Sequence, residues 1–193
     1  MNREILKNYQ KKDDKILLAQ ILDKIEICAN RNKIEHTDFL DLMQIDLVQK
    51  FIEKIKIENY MSYGGYENAE RQMVAFHSDA LTFTWEYPID CIRLEPKAVK
   101  FSEDLTHRDY LGAILNLGVD RSVVGDILIE DHTASFFCLH RMTDFFLENL
   151  CRVRHTTVVA SRIEDPGEFP QPKMTPITGT CASVRLDSLI ALA

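Results

Sequence analysis

The chain has 193 residues, 46% apolar and 27% charged, enough to close a hydrophobic core without disulfides or metal. Its five cysteines, Cys28, Cys91, Cys138, Cys151 and Cys181, are odd in number and form no C-x-x-C pair, which argues against a disulfide framework or a cysteine-paired zinc site and fits a reducing cytoplasm. A net charge of −7 excludes a chain that is basic throughout; no apolar run approaches the roughly 20 residues of a membrane span, and the charged start Met1-Asn2-Arg3-Glu4-Ile5 gives no secretory signal, so no membrane partner is expected.

The first 62 residues read as helical. Ile16, Leu17, Ile21, Leu22, Ile25 and Ile27 form an apolar stripe at helical spacing. His36-Thr37-Asp38 predicts a break, with Thr37 or Asp38 capping a second helix through Phe39, Leu40 and Leu42. Residues 46–57 predict a third helical segment, with Leu47, Val48, Phe51, Ile52 and Ile55 on its buried side. Gly64-Gly65 punctuates the chain, and the hydrophobic period then shortens.

Strands are predicted over 71–77 and 90–95, then a helix over 106–117. Two strands follow over 123–129 and 133–139, joined by a tight turn at Glu130-Asp131-His132. A second helix is predicted over 143–150 and a last, β-branched strand over 152–163. From Asp90 the order is strand, helix, strand, strand, helix, strand, the split βαβ or ferredoxin-like order that RNA-recognition motifs share. The expected fold class is α+β: a helical N-terminal region (1–62) followed by an RNA-recognition-motif-like domain (63–163). Residues 164–182, with Pro166, Pro170, Pro172 and Pro176, predict a linker. Residues 183–193 start as a strand and turn into an amphipathic helix cut within its second turn.

Basic residues are unevenly distributed. Residues 1–70 hold 11 Lys and Arg, of which 9 are Lys; the remainder hold 12, of which 9 are Arg. Arginine forks onto phosphate where lysine acts as a point charge, so the shift either places polar recognition in the second half or is compositional drift.

Leu105-Thr106-His107-Arg108-Asp109-Tyr110-Leu111-Gly112 specifies a helix start: Thr106 as N-cap, Asp109 as capping-box partner, and Leu105 with Tyr110 as a staple. Gly118 suits the far end. His107 and Arg108 oppose the macrodipole there, by about 0.3–1 kcal/mol for an exposed charge. They fit a phosphate site on free backbone N–H groups, or an Arg108 paired with Asp109 or Asp104 beside a packed histidine. Strand alternation puts Arg152, Arg154 and Arg162 on one face, as an RNA-facing stripe or a solvated surface. Of Phe136-Phe137, one must face the core. Cys138 and His140, two apart on one strand, suit metal, a thiolate or plain packing. No G-x-x-x-x-G-K-[ST], G-x-S-x-G or H-E-x-x-H motif occurs, so no catalytic residue, metal, cofactor or small-molecule substrate is expected.

Three stretches together resemble the bacterial YlmH family. They are Gly64-Gly65-Tyr66-Glu67-Asn68-Ala69-Glu70-Arg71; the segment from Leu105 to Gly112 with Asn116-Leu117-Gly118 and Val124-Gly125-Asp126-Ile127-Leu128; and Ser183-Val184-Arg185-Leu186-Asp187. The last resembles the opening of an S-four-like RNA-binding module, most of which lies beyond Ala193. The resemblance implies a cytoplasmic, non-enzymatic RNA-binding protein. Its implied partners are rRNA, tRNA and the large ribosomal subunit, in rescue or quality control of stalled nascent chains; the alternative is a cell-division adaptor working through protein contacts. The expected RNA-binding residues are Arg71, His107, Arg108 and Arg121, lying together to cradle a phosphate, with Arg152, Arg154 and Arg185.

Overall fold

The computed structural model describes residues 3–31, 33–55, 60–64, 69–77, 88–98 and 104–164. A 3-10 turn, Arg3–Asn8, leads into α1 (Lys12–Arg31). Asp13 and Asp14 in the first turn of α1 and Arg31 in the last complement the helix dipole, and Leu18, Ile21, Leu22, Ile25 and Cys28 form its buried face. The chain continues through β1 (Glu35–Asp41), α2 (Leu42–Ile55), β2 (Tyr60–Gly64) and β3 (Arg71–His77). These strands form an antiparallel sheet in the order β1-β3-β2.

The N-terminal region has the expected helices, α1 and α2, but the second predicted helix is a strand. Thr37, expected as a cap, instead spans an irregularity in the β1–β3 ladder between His36 and Phe39, its hydroxyl accepting the Val74 N–H at 2.9 Å. The cap of α2 lies further on: the Asp41 carboxylate accepts the Gln44 N–H at 2.9 Å, and the Gln44 side chain accepts the Asp41 N–H at 3.0 Å. Asp41→Ala should therefore cost about 1 kcal/mol in urea unfolding, and Asp41→Asn much less, because Asn caps as well as Asp.

β3, expected to open the second unit, is the central strand of the first sheet. Leu40, Val74 and Phe76 pack under α1 and α2, while Phe39 and Met73 point the other way into the core of the second unit. A strand buried on both faces loses the alternation of a half-exposed one.

The second unit runs β4 (Ile89–Pro96), α3 (His107–Leu115), β5 (Val124–Glu130), β6 (Thr133–Leu139), α4 (Thr143–Asn149), β7 (Arg152–Val153) and β8 (Thr156–Ile163). Its antiparallel sheet has the order β5-β6-β4-β8-β7, which contains the split βαβ arrangement. Ile92, Leu94, Ala134 and Phe136 face α3 and α4, with Phe136 edge-on to Phe146 at 5.3 Å between centroids. Phe137 is on the helix-free face, partly buried.

The predicted last strand is a hairpin. β7 pairs with β8 as Arg152↔Thr157 and Val153↔Thr156, and Arg154 takes a left-handed φ of 51° in the connecting turn. The alternation that would align Arg152, Arg154 and Arg162 is broken there. Arg162 instead bonds Asp90 at 2.8 Å. The predicted linker and the 183–193 segment lie outside the described residues.

The two units meet along β1, β3 and the start of β5. Arg71 donates to Phe39 O at 2.9 Å and Val124 O at 3.2 Å, the Glu70 N–H donates to Asp126 at 2.7 Å, and one terminal nitrogen of Arg141 donates to both Asp38 carboxylate oxygens, at 2.9 and 3.0 Å.

Candidate nucleic-acid interface

Packing of α3 against the β7–β8 hairpin creates a groove of about 470 Å³ on the helical side of the second unit. Arg108 and Asn116 line it from α3, Asn149 from the end of α4, and Arg152 and Arg154 from the hairpin. These five side chains are exposed. Among the described residues Arg108 and Arg152 make no hydrogen bond or ion pair, and Arg154 stands 3.7 Å from the Asp109 carboxylate. Gly112 also lines the groove; a Cβ there would meet nothing within 4 Å, so the protein's own packing does not call for glycine.

The start of α3 is built as its sequence predicts. Asp109 accepts the Thr106 N–H at 2.9 Å and its hydroxyl at 2.7 Å. Those two bonds, with the charges of Arg154 and Arg108, hold the Asp109 carboxyl below the ordinary carboxylate range. Asp109 is thus an anion fixed by its own helix cap, with Arg154 beside it at the groove. Gly118, at φ 82°, ends the helical segment.

The seven expected RNA-binding residues do not gather at one place. Arg108, Arg152 and Arg154 share the groove. His107 is exposed in the first turn of α3 but does not line it. Arg71 and Arg121 border a second groove, of about 870 Å³ and rich in carboxylates, between α1, β1 and the 3-10 turn Arg121–Val123. The two grooves share no lining residue: Arg71 and Arg121 line one, and Arg108 lines the other.

Arg121 donates to Val124 O, and to Gly125 O at 3.0 Å, so both guanidiniums bond the Val124 carbonyl. Burial, then the charge of Arg71, pushes the Arg121 pKa down to about 10, still protonated at neutral pH. Arg185 lies outside the described residues. Asn149 carries no signal in the sequence, and Asn116 enters it only through the family resemblance, because helix-end asparagines also occur as ordinary solvated caps.

Cys138 is packed rather than poised for chemistry. Burial pushes its thiol up to about 12, and its nearest polar partner is the Thr143 hydroxyl at 3.8 Å. His140 points to Asp90 at 2.8 Å.

Fold and groove together define a two-unit α+β protein whose second unit is RNA-recognition-motif-like, with a groove on its helical side lined by three arginines. Residues 86–165 match the family model described as "Putative RNA-binding domain in YlmH", and residues 13–81 match "YlmH, N-terminal". The chain belongs to the YlmH family. It is 24% identical over 185 residues to the Ribosome-associated protein quality control protein P2 of Bacillus subtilis (strain 168), spanning 94% of this chain and 70% of that one. The solved structure of "Cell division protein ylmH from Streptococcus pneumoniae" superposes with a TM-score of 0.62 at 21% identity, over 80% of this chain and 93% of that one, and so shares the fold.

Proposed function

We propose that this chain is a cytoplasmic, non-catalytic RNA-binding protein that sits on the large ribosomal subunit beside tRNA and acts in rescue or quality control of stalled nascent chains. The observation that carries RNA binding is the convergence of Arg108, Arg152 and Arg154, from two separate segments, on one open groove. Guanidiniums match phosphate oxygens two at a time, and asparagines at the rim can hydrogen-bond sugar or base edges. The ribosomal setting rests on the family and on the name of the Bacillus relative, a ribosome-associated quality control protein.

The test replaces all three arginines by glutamine. Affinity for RNA and for large subunits should fall about 10–100-fold at low salt, and the slope of log K against log salt should shrink by about 2 for three lost phosphate contacts. The fold should persist, because the Thr106–Asp109 cap is untouched and the exposed Arg154–Asp109 pair contributes little. Unchanged affinity with an unchanged slope would remove the groove from RNA binding. It would favour an adaptor role through protein contacts, as the name of the pneumococcal cell division protein suggests for that protein.

A further inference from the structure

Gly112 lies within α3, where glycine is the least favourable residue after proline. Its φ is not left-handed, and a Cβ there would meet nothing within 4 Å, so neither backbone conformation nor close packing inside the protein accounts for it. The open space lies in the groove. Arg108, Gly112 and Asn116 follow one another at four-residue spacing, and all three line it. One face of the helix thus presents about 12 Å of lining, at 1.5 Å per residue, with a stretch of bare backbone at its middle. Arg152 and Arg154 line the groove from the hairpin.

No aromatic residue lines the groove. Single-strand sites splay bases onto ring faces, and this groove has none to offer. Its chemistry suits a nucleic-acid backbone instead: guanidiniums for phosphate and amides for ribose hydroxyls. Asn149 commits one amide hydrogen to Phe145 O at 2.8 Å and keeps its oxygen and second N–H. The Asn116 backbone N–H donates to Gly112 O, and its side chain is exposed. Asp109 is the one carboxylate in the lining. One of its oxygens is taken by Thr106 and the other stands 3.7 Å from Arg154.

We infer that Gly112 is the seat of this groove: the sugar–phosphate edge of an RNA duplex rests on the bare α3 backbone there, with Arg108, Arg152 and Arg154 on its phosphates and Asn116 and Asn149 on its 2′-hydroxyls. An A-form duplex displays those hydroxyls along a wide, shallow groove, which a helix surface without a protruding side chain can approach closely. Any longer side chain at 112 would stand between the helix and the strand. This rests on the reading that the groove binds RNA; it adds which form of RNA the groove takes and which residue admits it.

The experiment measures fluorescence anisotropy of a labelled RNA duplex, a DNA duplex of the same sequence and oligouridine with the whole chain, together with thermal melts. The variants are Gly112→Ala, Gly112→Gln and the triple groove variant. The unaltered chain should prefer the RNA duplex to either other probe by about tenfold, the worth of two amide contacts to hydroxyls. Gly112→Ala should raise Tm by about 2–4 °C, because it removes a helix-breaking residue and meets no neighbour. Gly112→Gln should melt no lower than the unaltered chain, yet bind the RNA duplex about tenfold more weakly and with a smaller salt slope, since a blocked strand loses phosphate contacts. If the triple variant loses the duplex and Gly112→Gln does not, the seat is overturned and RNA binding by the groove stands. If neither loses it, both fall. Equal affinity for oligouridine or for the DNA duplex overturns the assignment to duplex RNA. Should Gly112→Gln not fold, alkylation of the unaltered chain decides, because the exposed Cys151 thiol lines the groove. The RNA duplex should slow alkylation of Cys151, read by peptide mass spectrometry, and oligouridine at the same concentration should not; unchanged reactivity under saturating duplex overturns the site.

Discussion

Replacing Gly125 by alanine should destabilise the protein by about 1–3 kcal/mol, the usual cost of an extra methyl in a packed core. A Cβ at this position would stand 2.9 Å from Phe137 Cβ and 2.9 Å from Phe39 Cε1, closer than carbon atoms normally pack. Phe137 Cβ is tied to the β6 backbone and cannot retreat, and Phe39, 1% exposed, is enclosed by the second core. Alanine regains only about 0.5–1 kcal/mol in backbone entropy, which does not offset the overlap. The glycine therefore lets the first unit approach β5, and its loss should show at the seam before it shows in either core. Phe39→Leu removes the Cε1 that collides. The double variant should be more stable than the sum of the single effects predicts, by about 0.5–3 kcal/mol for groups in contact. Thermal melts of the four proteins measure this. Unchanged melting of Gly125→Ala would show that the two units are not held at this distance in solution.

That seam is also where the sequence was least legible. β1 escaped detection because Phe39 and Leu40 are adjacent yet both buried, one in each core, so the strand shows no alternation. Its Thr37 resembles a cap because its hydroxyl accepts a backbone N–H, here from a neighbouring strand rather than a helix. The true cap, Asp41 with Gln44, follows the D-x-x-Q pattern and was open to a stricter reading of capping boxes. β3 was legible as a strand, but its choice of sheet depends on pairing with residues far away in sequence.

The split βαβ unit was legible because each element carries its own local signal. The exception is the β7–β8 turn, where Arg154 adopts φ 51° without the glycine or asparagine that usually announces it. The residue types of the basic site were legible and their grouping was not. Arg71 and Arg121 are absorbed by main-chain carbonyls, acceptors that every residue carries and no sequence pattern reveals.

Asp90 is the other position where one side chain should matter greatly. Its carboxylate is buried at the end of the second sheet and holds three elements: Arg162 of β8 at 2.8 Å, His140 after β6 at 2.8 Å, and the hydroxyl of Thr143, which opens α4. Removing one partner of a fully buried ion pair costs about 3–5 kcal/mol. Arg162 and His140 are at least half exposed and regain water, so the loss reduces mainly to the stranded Thr143 hydroxyl and the missing charge. Asp90→Ala should therefore cost about 2 kcal/mol at neutral pH, within the range for an unsatisfied buried group. Burial alone would push the Asp90 carboxyl up. The hydrogen bonds from Thr143 and His140 and the charge of Arg162 outweigh it and hold the carboxyl below the ordinary carboxylate value. A depressed carboxylate stabilises the fold fully above its unfolded pKa of about 3.9, and that contribution is lost as pH falls through the lower folded value. Urea unfolding of the unaltered protein and Asp90→Asn, compared at pH 5, 4 and 3, should show a gap that narrows towards 3. Arg162→Gln, which leaves the Thr143 and His140 bonds in place, should cost no more than about 1 kcal/mol, as for a half-exposed pair. A gap between Asp90 and Asn that widened in acid would mean that Asp90 is neutral in the folded protein and that the three-element tie is not ionic.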